Sequence, residues 1–298
     1  MTERSTFPRP LITAEALAEL LPDPRLRIAD ARWYLGRPGA GRAAYDAGHL
    51  PGAIFVDLDA DLAGSTRPDG VGGRHPLPDP ATFARRLGAH GIGDDSLVVA
   101  YDDTAGTVAA RLWWMLDNLG FTNVAVLNGG VAGWTASGGG LVTDVPVLPE
   151  TTVHLRDQWA HVMDRDELRS RLGTLTLLDA RAAPRYRGEV EPVDAYPGHI
   201  PTALNAPTDG NLDPATGRFL PPDALRERYA SLFAARGDVV LSCGSGVSAA
   251  HDAIAMRVAG LPDPILYPGS WSDWSRSGYP AATGPEPGTP EGARAARD

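Results

Sequence analysis

The chain has 298 residues, room for about two domains of roughly 150 residues each, and 27 basic against 37 acidic residues give it a net charge of −10. Every basic residue is an arginine, which excludes Schiff-base and pyridoxal phosphate chemistry and a Walker-type phosphate loop, each of which needs a lysine, while the acidic balance excludes non-specific nucleic-acid binding. The single cysteine, Cys243, excludes a disulfide scaffold, a CxxC redox pair and a Cys-rich zinc site, so it is either a small buried hydrophobe or a nucleophile.

Met1 to Pro10 lacks the apolar run of a signal peptide and no stretch approaches a transmembrane length, so the expectation is a cytoplasmic protein with no membrane partner. In chain order, Leu26 to Ala29 reads as a short buried strand running into Asp30-Ala31-Arg32, and Tyr45-Asp46-Ala47-Gly48-His49-Leu50-Pro51 follows. Leu97 to Tyr101 is a β-branched run and predicts a strand; Thr107 to Leu119 has helical spacing closed by Gly120; Val124 to Leu127 is a further strand. Gly and Pro then break the pattern from Ser137 to Pro149, as expected of a linker.

The series then starts again. Thr176 to Leu178 runs into Asp179-Ala180-Arg181, Tyr196-Pro197-Gly198-His199-Ile200-Pro201 follows, Val239 to Ser242 is a strand, Ser248 to Ala259 a helix closed by Gly260, and Pro264 to Tyr267 a strand. Asp30 and Asp179 are offset by 149 positions and His49 and His199 by 150, while Gly120/Gly260 and Trp134/Trp274 share an offset of 140. Four ordered blocks at near-constant spacing are a tandem duplication. Strands alternating with helices predict an α/β fold, each half a parallel β-sheet with helices on both faces. The expected organisation is an N-terminal domain over 9–137, a linker over 138–157, a C-terminal domain over 158–282 and a disordered Gly/Pro/Ala-rich tail over 283–298.

Cys243 stands between the strand ending at Ser242 and the helix beginning near Ser248, in Cys243-Gly244-Ser245-Gly246-Val247-Ser248. Chemistry in open α/β sheets sits at the carboxyl ends of strands. Two glycines let the backbone wrap so that successive N–H groups point at one centre, and the helix N-terminus adds positive potential; both favour a thiolate. The setting predicts a nucleophile.

With Asp30-Ala31-Arg32, Asp179-Ala180-Arg181, both Gly-His-x-Pro blocks, the cysteine loop and Tyr267-Pro268-Gly269-Ser270-Trp271-Ser272-Asp273-Trp274 in view, the chain resembles two-domain rhodanese-like sulfurtransferases of the 3-mercaptopyruvate type over nearly its whole length. The resemblance implies that only the second domain carries the nucleophile, with Asp103 at the equivalent place in the first. It implies a persulfide on Cys243, cradled by the amides of Gly244, Ser245, Gly246, Val247 and Ser248, loaded from 3-mercaptopyruvate or thiosulfate and discharged to a thiol, cyanide or a thioredoxin-like acceptor. It calls for no cofactor and no metal. Small, neutral Gly244 and Ser245 resemble the mercaptopyruvate type, in which Ser245, His75 and Asp59 would move the proton. Arg185 matches one carboxylate-binding arginine of the family. The second would fall nine positions on, where this chain has Asp194; either Arg187 or Arg74 substitutes, with Arg187 also reading as a solvated surface charge, or mercaptopyruvate binds weakly and another donor is preferred.

His49, His199, Asp30, Asp179, Arg32 and Arg181 recur in the half without a cysteine, so they are expected to hold turns and strand ends. A phosphatase of the same fold would need Cys-x5-Arg, and the position is Ala249. A thiosulfate-preferring enzyme and a non-catalytic rhodanese-like binding module remain the alternatives.

Overall fold

The computed structural model describes residues 10–233 and 237–291, and these fall into two compact units. The first takes the described residues of Met1–Gly64, Pro78–Ala160 and Asp213–Phe219; the second takes those of Ser65–Leu77, His161–Leu212 and Leu220–Asp298. Among the described residues no helix is long and apolar enough to cross a membrane.

The first unit is built from β1 (Leu11–Ile12), α1 (Ala14–Leu20), β2 (Leu26–Asp30), α2 (Ala40–Ala47), β3 (Ala53–Phe55), α3 (Pro80–Ala89), β4 (Leu97–Tyr101), α4 (Ala109–Asn118), β5 (Val124–Leu127) and α5 (Gly130–Ala136). Its strands form a parallel sheet in the order β1-β5-β4-β2-β3. All five residues of β4 are buried; an unbroken Leu-Val-Val-Ala-Tyr run suits a strand covered on both faces, where an alternating one would place polar groups in the core. α3 starts cleanly because Asp79 accepts the Thr82 N–H and Pro80 stands where its missing N–H costs nothing.

The second unit contains α6 (Arg165–Arg171), β6 (Thr176–Asp179), α7 (Ala183–Tyr186), β7 (Leu204–Asn205), a 3-10 turn at Thr208–Asn211, α8 (Pro222–Leu232), β8 (Val239–Ser242), α9 (Ala249–Val258), β9 (Ile265–Leu266) and α10 (Ser270–Trp274). Its parallel order is β7-β6-β8-β9, the first unit's order without β1. In place of β1 a single parallel bridge joins Val162 to Leu266. The duplication expected from the sequence is therefore present strand by strand. β6 and β8 are neighbours from which the chain departs in opposite directions, which opens a crevice at their carboxyl ends.

The repeated residues hold equivalent joints. Arg32 donates to both Asp30 oxygens and to the Gly48 carbonyl, and Arg181 does the same with Asp179 and Gly198. His49 stacks on Tyr45 and His199 on Tyr186 at 3.9 and 3.8 Å.

The linker stretch is hydrogen-bonded, and the expectation of a disordered tail is corrected over the tail's described residues. Within 138–157, Val142 bridges His49, Thr151 donates to the Gly88 carbonyl at 3.0 Å and Arg156 to that of Leu119 at 2.9 Å, so the stretch is hydrogen-bonded along the first unit. In the tail, Gly284 donates to the Arg187 carbonyl, Thr202 donates to the Pro287 carbonyl, and the His199 ring lies 3.1 Å from the Glu286 carbonyl. Buried backbone and imidazole groups need partners, and residues 283–287 supply them; 292–298 lie outside the described residues.

Candidate active site

β8 delivers Cys243 at its carboxyl end, and α9 opens six residues later at Ala249. Cys243 is buried, at 1% exposure. Its Sγ accepts the Gly246 N–H at 3.1 Å. Gly246 has φ +74°, and a Cβ there would stand 2.3 Å from the Pro268 carbonyl oxygen, so only glycine permits the turn that aims this amide at the sulfur. The loop's own carbonyls are drawn off by α10: Cys243 O accepts from Trp271 N at 3.0 Å and Gly244 O from Ser272 N at 2.8 Å.

Ser270 was not singled out by sequence reasoning. It has φ +50°, rare for a serine, and its Oγ accepts the Cys243 N–H at 3.0 Å and lies 3.9 Å from Sγ. The first unit has Gly130 at the matching place, with φ +54°. A signal was available, since the offset of 140 that pairs Gly129 with Gly269 and Trp134 with Trp274 pairs Gly130 with Ser270.

The first unit's loop shows what such a turn holds. Asp30 pairs with Tyr101 and Asp179 with Ser242 in the two sheets, so by strand register the residue facing the position of Cys243 is Asp102. The hydrogen bonds agree, since Asp102 O accepts from Val131 N as Cys243 O does from Trp271 N. This corrects the assignment of Asp103 by one position: the first loop is one residue longer, and the helix-side offset conceals the shift. Asp103 instead accepts the Tyr34 hydroxyl. The buried Asp102 carboxylate takes four amides, those of Thr104, Gly106, Val108 and Ala109, at 2.7 to 2.9 Å. The first loop is a cradle of amides occupied by its own side chain, whose carboxyl burial pushes up against the pull of those amides.

Around Cys243 the structure assembles further groups of the second unit. Residues 65–77, although they fall in the first half of the sequence, belong here. Gly73 presses on α10 so closely that a Cβ would meet Ser272 Oγ at 2.4 Å, and Arg74 N donates to that hydroxyl at 3.0 Å. This places the His75 ring against the loop, with Nδ1 2.8 Å from Ser245 Oγ and both residues buried. Asp59 belongs to the first unit, where it accepts the Trp33 indole N–H at 2.9 Å.

Two guanidinia converge on Gly244: a Cβ there would lie 3.3 Å from Arg74 Nη2 and 3.4 Å from Arg185 Nη1. Arg187 is not one of them, because its guanidinium is committed to Glu189 at 2.6 and 2.8 Å. Asp194 sits behind the pair with its side chain fully buried, in contact with Arg74 and 3.1 Å from Arg185 Nη2. Arg185 Nη2 also reaches Glu191, which touches Arg181. Burial works against the charge of Glu191, but the Asp194 amide and Arg185 outweigh it and hold its carboxyl below the ordinary range. Burial pushes the Asp194 carboxyl up, against the pull of Arg74.

A second buried cluster lies on α9. Asp252 Oδ1 accepts Asn211 Nδ2 at 2.6 Å, and Asn211 Oδ1 accepts the Tyr229 hydroxyl at 2.9 Å. Burial pushes the Asp252 carboxyl up to about 7, from 3.8, despite the Asn211 hydrogen bond. Between these two values the folded chain keeps a proton that the unfolded chain releases, so stability falls as pH rises through that window. Asp252→Asn should stabilise the fold at pH 8 by up to about 4 kcal/mol and have no effect below pH 4. Denaturation midpoints at the two pH values check this; an equal shift at both would show that ionisation is not the cause.

A family profile described as Rhodanese-like domain matches residues 13–137 and 164–277. A Pseudomonas aeruginosa protein named "Probable 3-mercaptopyruvate sulfurtransferase" is 45% identical over 280 residues, 92% of this chain and 98% of its own. The thiosulfate sulfurtransferase of Rattus norvegicus is 33% identical, covering 91% of this chain and 94% of its own. Among solved structures, the 3-mercaptopyruvate sulfurtransferase from Leishmania major superposes with a TM-score of 0.80 at 30% identity, covering 91% of this chain and 76% of that one.

Proposed function

The chain belongs to the rhodanese-like family as a tandem of two such domains, and on that premise we propose that it carries sulfur on Cys243, taking it from a carboxylate-bearing thiol donor of the 3-mercaptopyruvate kind. The observation that carries the donor class is the convergence of Arg74 and Arg185 on Gly244. A planar guanidinium matches a carboxylate with two parallel donors. Small Gly244 leaves room for one beside the sulfur.

In the first half-reaction the Cys243 sulfur attacks the donor's sulfur. A new S–S bond forms, the donor's C–S bond breaks, and its electron pair passes to the carbon as the pyruvate enolate. The proton leaving the donor thiol reaches that carbon through Ser245 and His75, which are in hydrogen-bond contact. The persulfide's negative outer sulfur rests on the loop amides from Gly244 to Ser248. The first unit supports this use of the turn, since its loop draws four amides to one carboxylate. In the second half-reaction an acceptor thiolate attacks the outer sulfur, the S–S bond breaks and Cys243 is regenerated. The acceptor is a thiol, either small or on a thioredoxin-like protein, or cyanide.

Incubation with 3-mercaptopyruvate or thiosulfate followed by intact mass tests the reading. The expected result is one added sulfur atom, lost on reduction; no addition with either donor leaves the binding module as the better account. Arg185→Gln should raise the KM for 3-mercaptopyruvate about 10- to 100-fold, the loss of a charge-assisted hydrogen bond, with a smaller effect on kcat. An unchanged KM removes Arg185 from the clamp.

A further inference from the structure

Arg74 and Arg185 are close enough to share one point above Gly244, an arrangement that two like charges resist unless something neutralises them. Asp194 does so, touching both guanidinia from a position with no solvent exposure. The edges it leaves open are those facing the cysteine loop: Arg74 Nη2 and Arg185 Nη1 point towards Gly244, and Arg74 Nε and Arg185 Nε are buried without a hydrogen-bond partner. The clamp thus keeps its N–H donors while losing much of its charge. Through direct contacts it joins a network of Arg74, Arg181 and Arg185 with Asp179, Glu191 and Asp194, in which cations and anions are equal in number.

Resting on the proposed sulfur transfer, we propose that Asp194 selects the charge of the donor. It cancels one guanidinium, so that the clamp accepts a singly charged carboxylate by hydrogen-bond geometry and disfavours a dianion such as thiosulfate. The physical reason is the scaling of Coulomb energy with ligand charge. A clamp with one more positive unit would gain twice as much with a dianion as with a monoanion. The hydrogen-bonding match to a carboxylate would gain nothing.

The test compares wild type with Asp194→Asn, Asp194→Glu and the double variant Arg74→Gln/Asp194→Asn in two arms. One measures kcat/KM for thiosulfate and for 3-mercaptopyruvate. The other involves no turnover: it measures how sulfate, a dianion, and pyruvate, a monoanion, protect Cys243 from iodoacetamide. Asp194→Asn should move both preferences towards the dianion by about tenfold, through KM and not kcat. Asp194→Glu and the double variant should return to the wild-type ratio. Unshifted ratios in Asp194→Asn, or an equal shift in Asp194→Glu, overturn the proposal. If Asp194→Asn does not yield folded protein, Arg74→Gln carries the test, and its ratios must move away from the dianion. A shifted protection ratio with no sulfur loaded on Cys243 would overturn the sulfur-transfer reading and leave the charge selection standing; loading with an unshifted ratio would do the reverse.

Discussion

Cys243→Ser is expected to keep the fold and lose sulfur transfer by about a thousandfold or more, the scale seen when a covalent nucleophile is removed. The exchange is nearly isosteric, and a serine hydroxyl can still accept the Gly246 N–H that Sγ accepts at 3.1 Å. The thermal midpoint should therefore move by only a few degrees. An alkoxide at this pH is rare, and its bond to sulfur is a poor store for a transferable atom, so donor treatment should add no mass. Intact mass and steady-state rates check both halves. Transfer persisting in the serine variant would mean that sulfur travels without a persulfide on this residue.

Gly246→Ala should be almost as damaging by a different route. A left-handed φ of +74° costs a β-carbon about 1 kcal/mol. The larger penalty is steric, since the new Cβ would meet the oxygen, Cα and carbonyl carbon of Pro268 at 2.3, 2.9 and 3.0 Å. All three are backbone atoms, so the loop must move. With it goes the amide aimed at Sγ. A loss of about 2–4 kcal/mol of stability and at least about a hundredfold in transfer is expected. Gly278 provides the control: its φ is +77° but nothing lies within 4 Å of its Cβ position, so Gly278→Ala should lose about 1 kcal/mol and no activity. Equal effects at the two glycines would show that backbone freedom, and not the contact with Pro268, governs the loop.

The contrast between these glycines also marks how far the sequence could be read. A strand, a lone cysteine, two glycines and a helix in succession put Cys243 in the loop between β8 and α9, and this was legible because each of those signals is local. The strands at Leu97–Tyr101 and Val239–Ser242 were legible for the same reason, as unbroken apolar runs of strand length. Short edge strands of two or three residues, β1, β3 and β7, carry no such pattern; they exist because neighbouring strands offer them hydrogen bonds. The one-residue error at Asp103 arose because an insertion inside a loop leaves the helix-side spacing intact. Only sheet register could reveal it.

By itself, the sequence determined the duplication and the parallel α/β class, which follow from periodicity and short-range spacing. The tertiary structure decided which charges meet. Arg74 lies 120 positions from Asp194 and His75 170 from Ser245, and no local preference ties such pairs together. They come together because residues 65–77 pack in the second unit, held on α10 by a glycine with no Cβ to keep it away. That packing brings Arg74 towards Gly244, where Arg185 also points, and into contact with Asp194, at the position where an arginine was expected, while Arg187 pairs with Glu189.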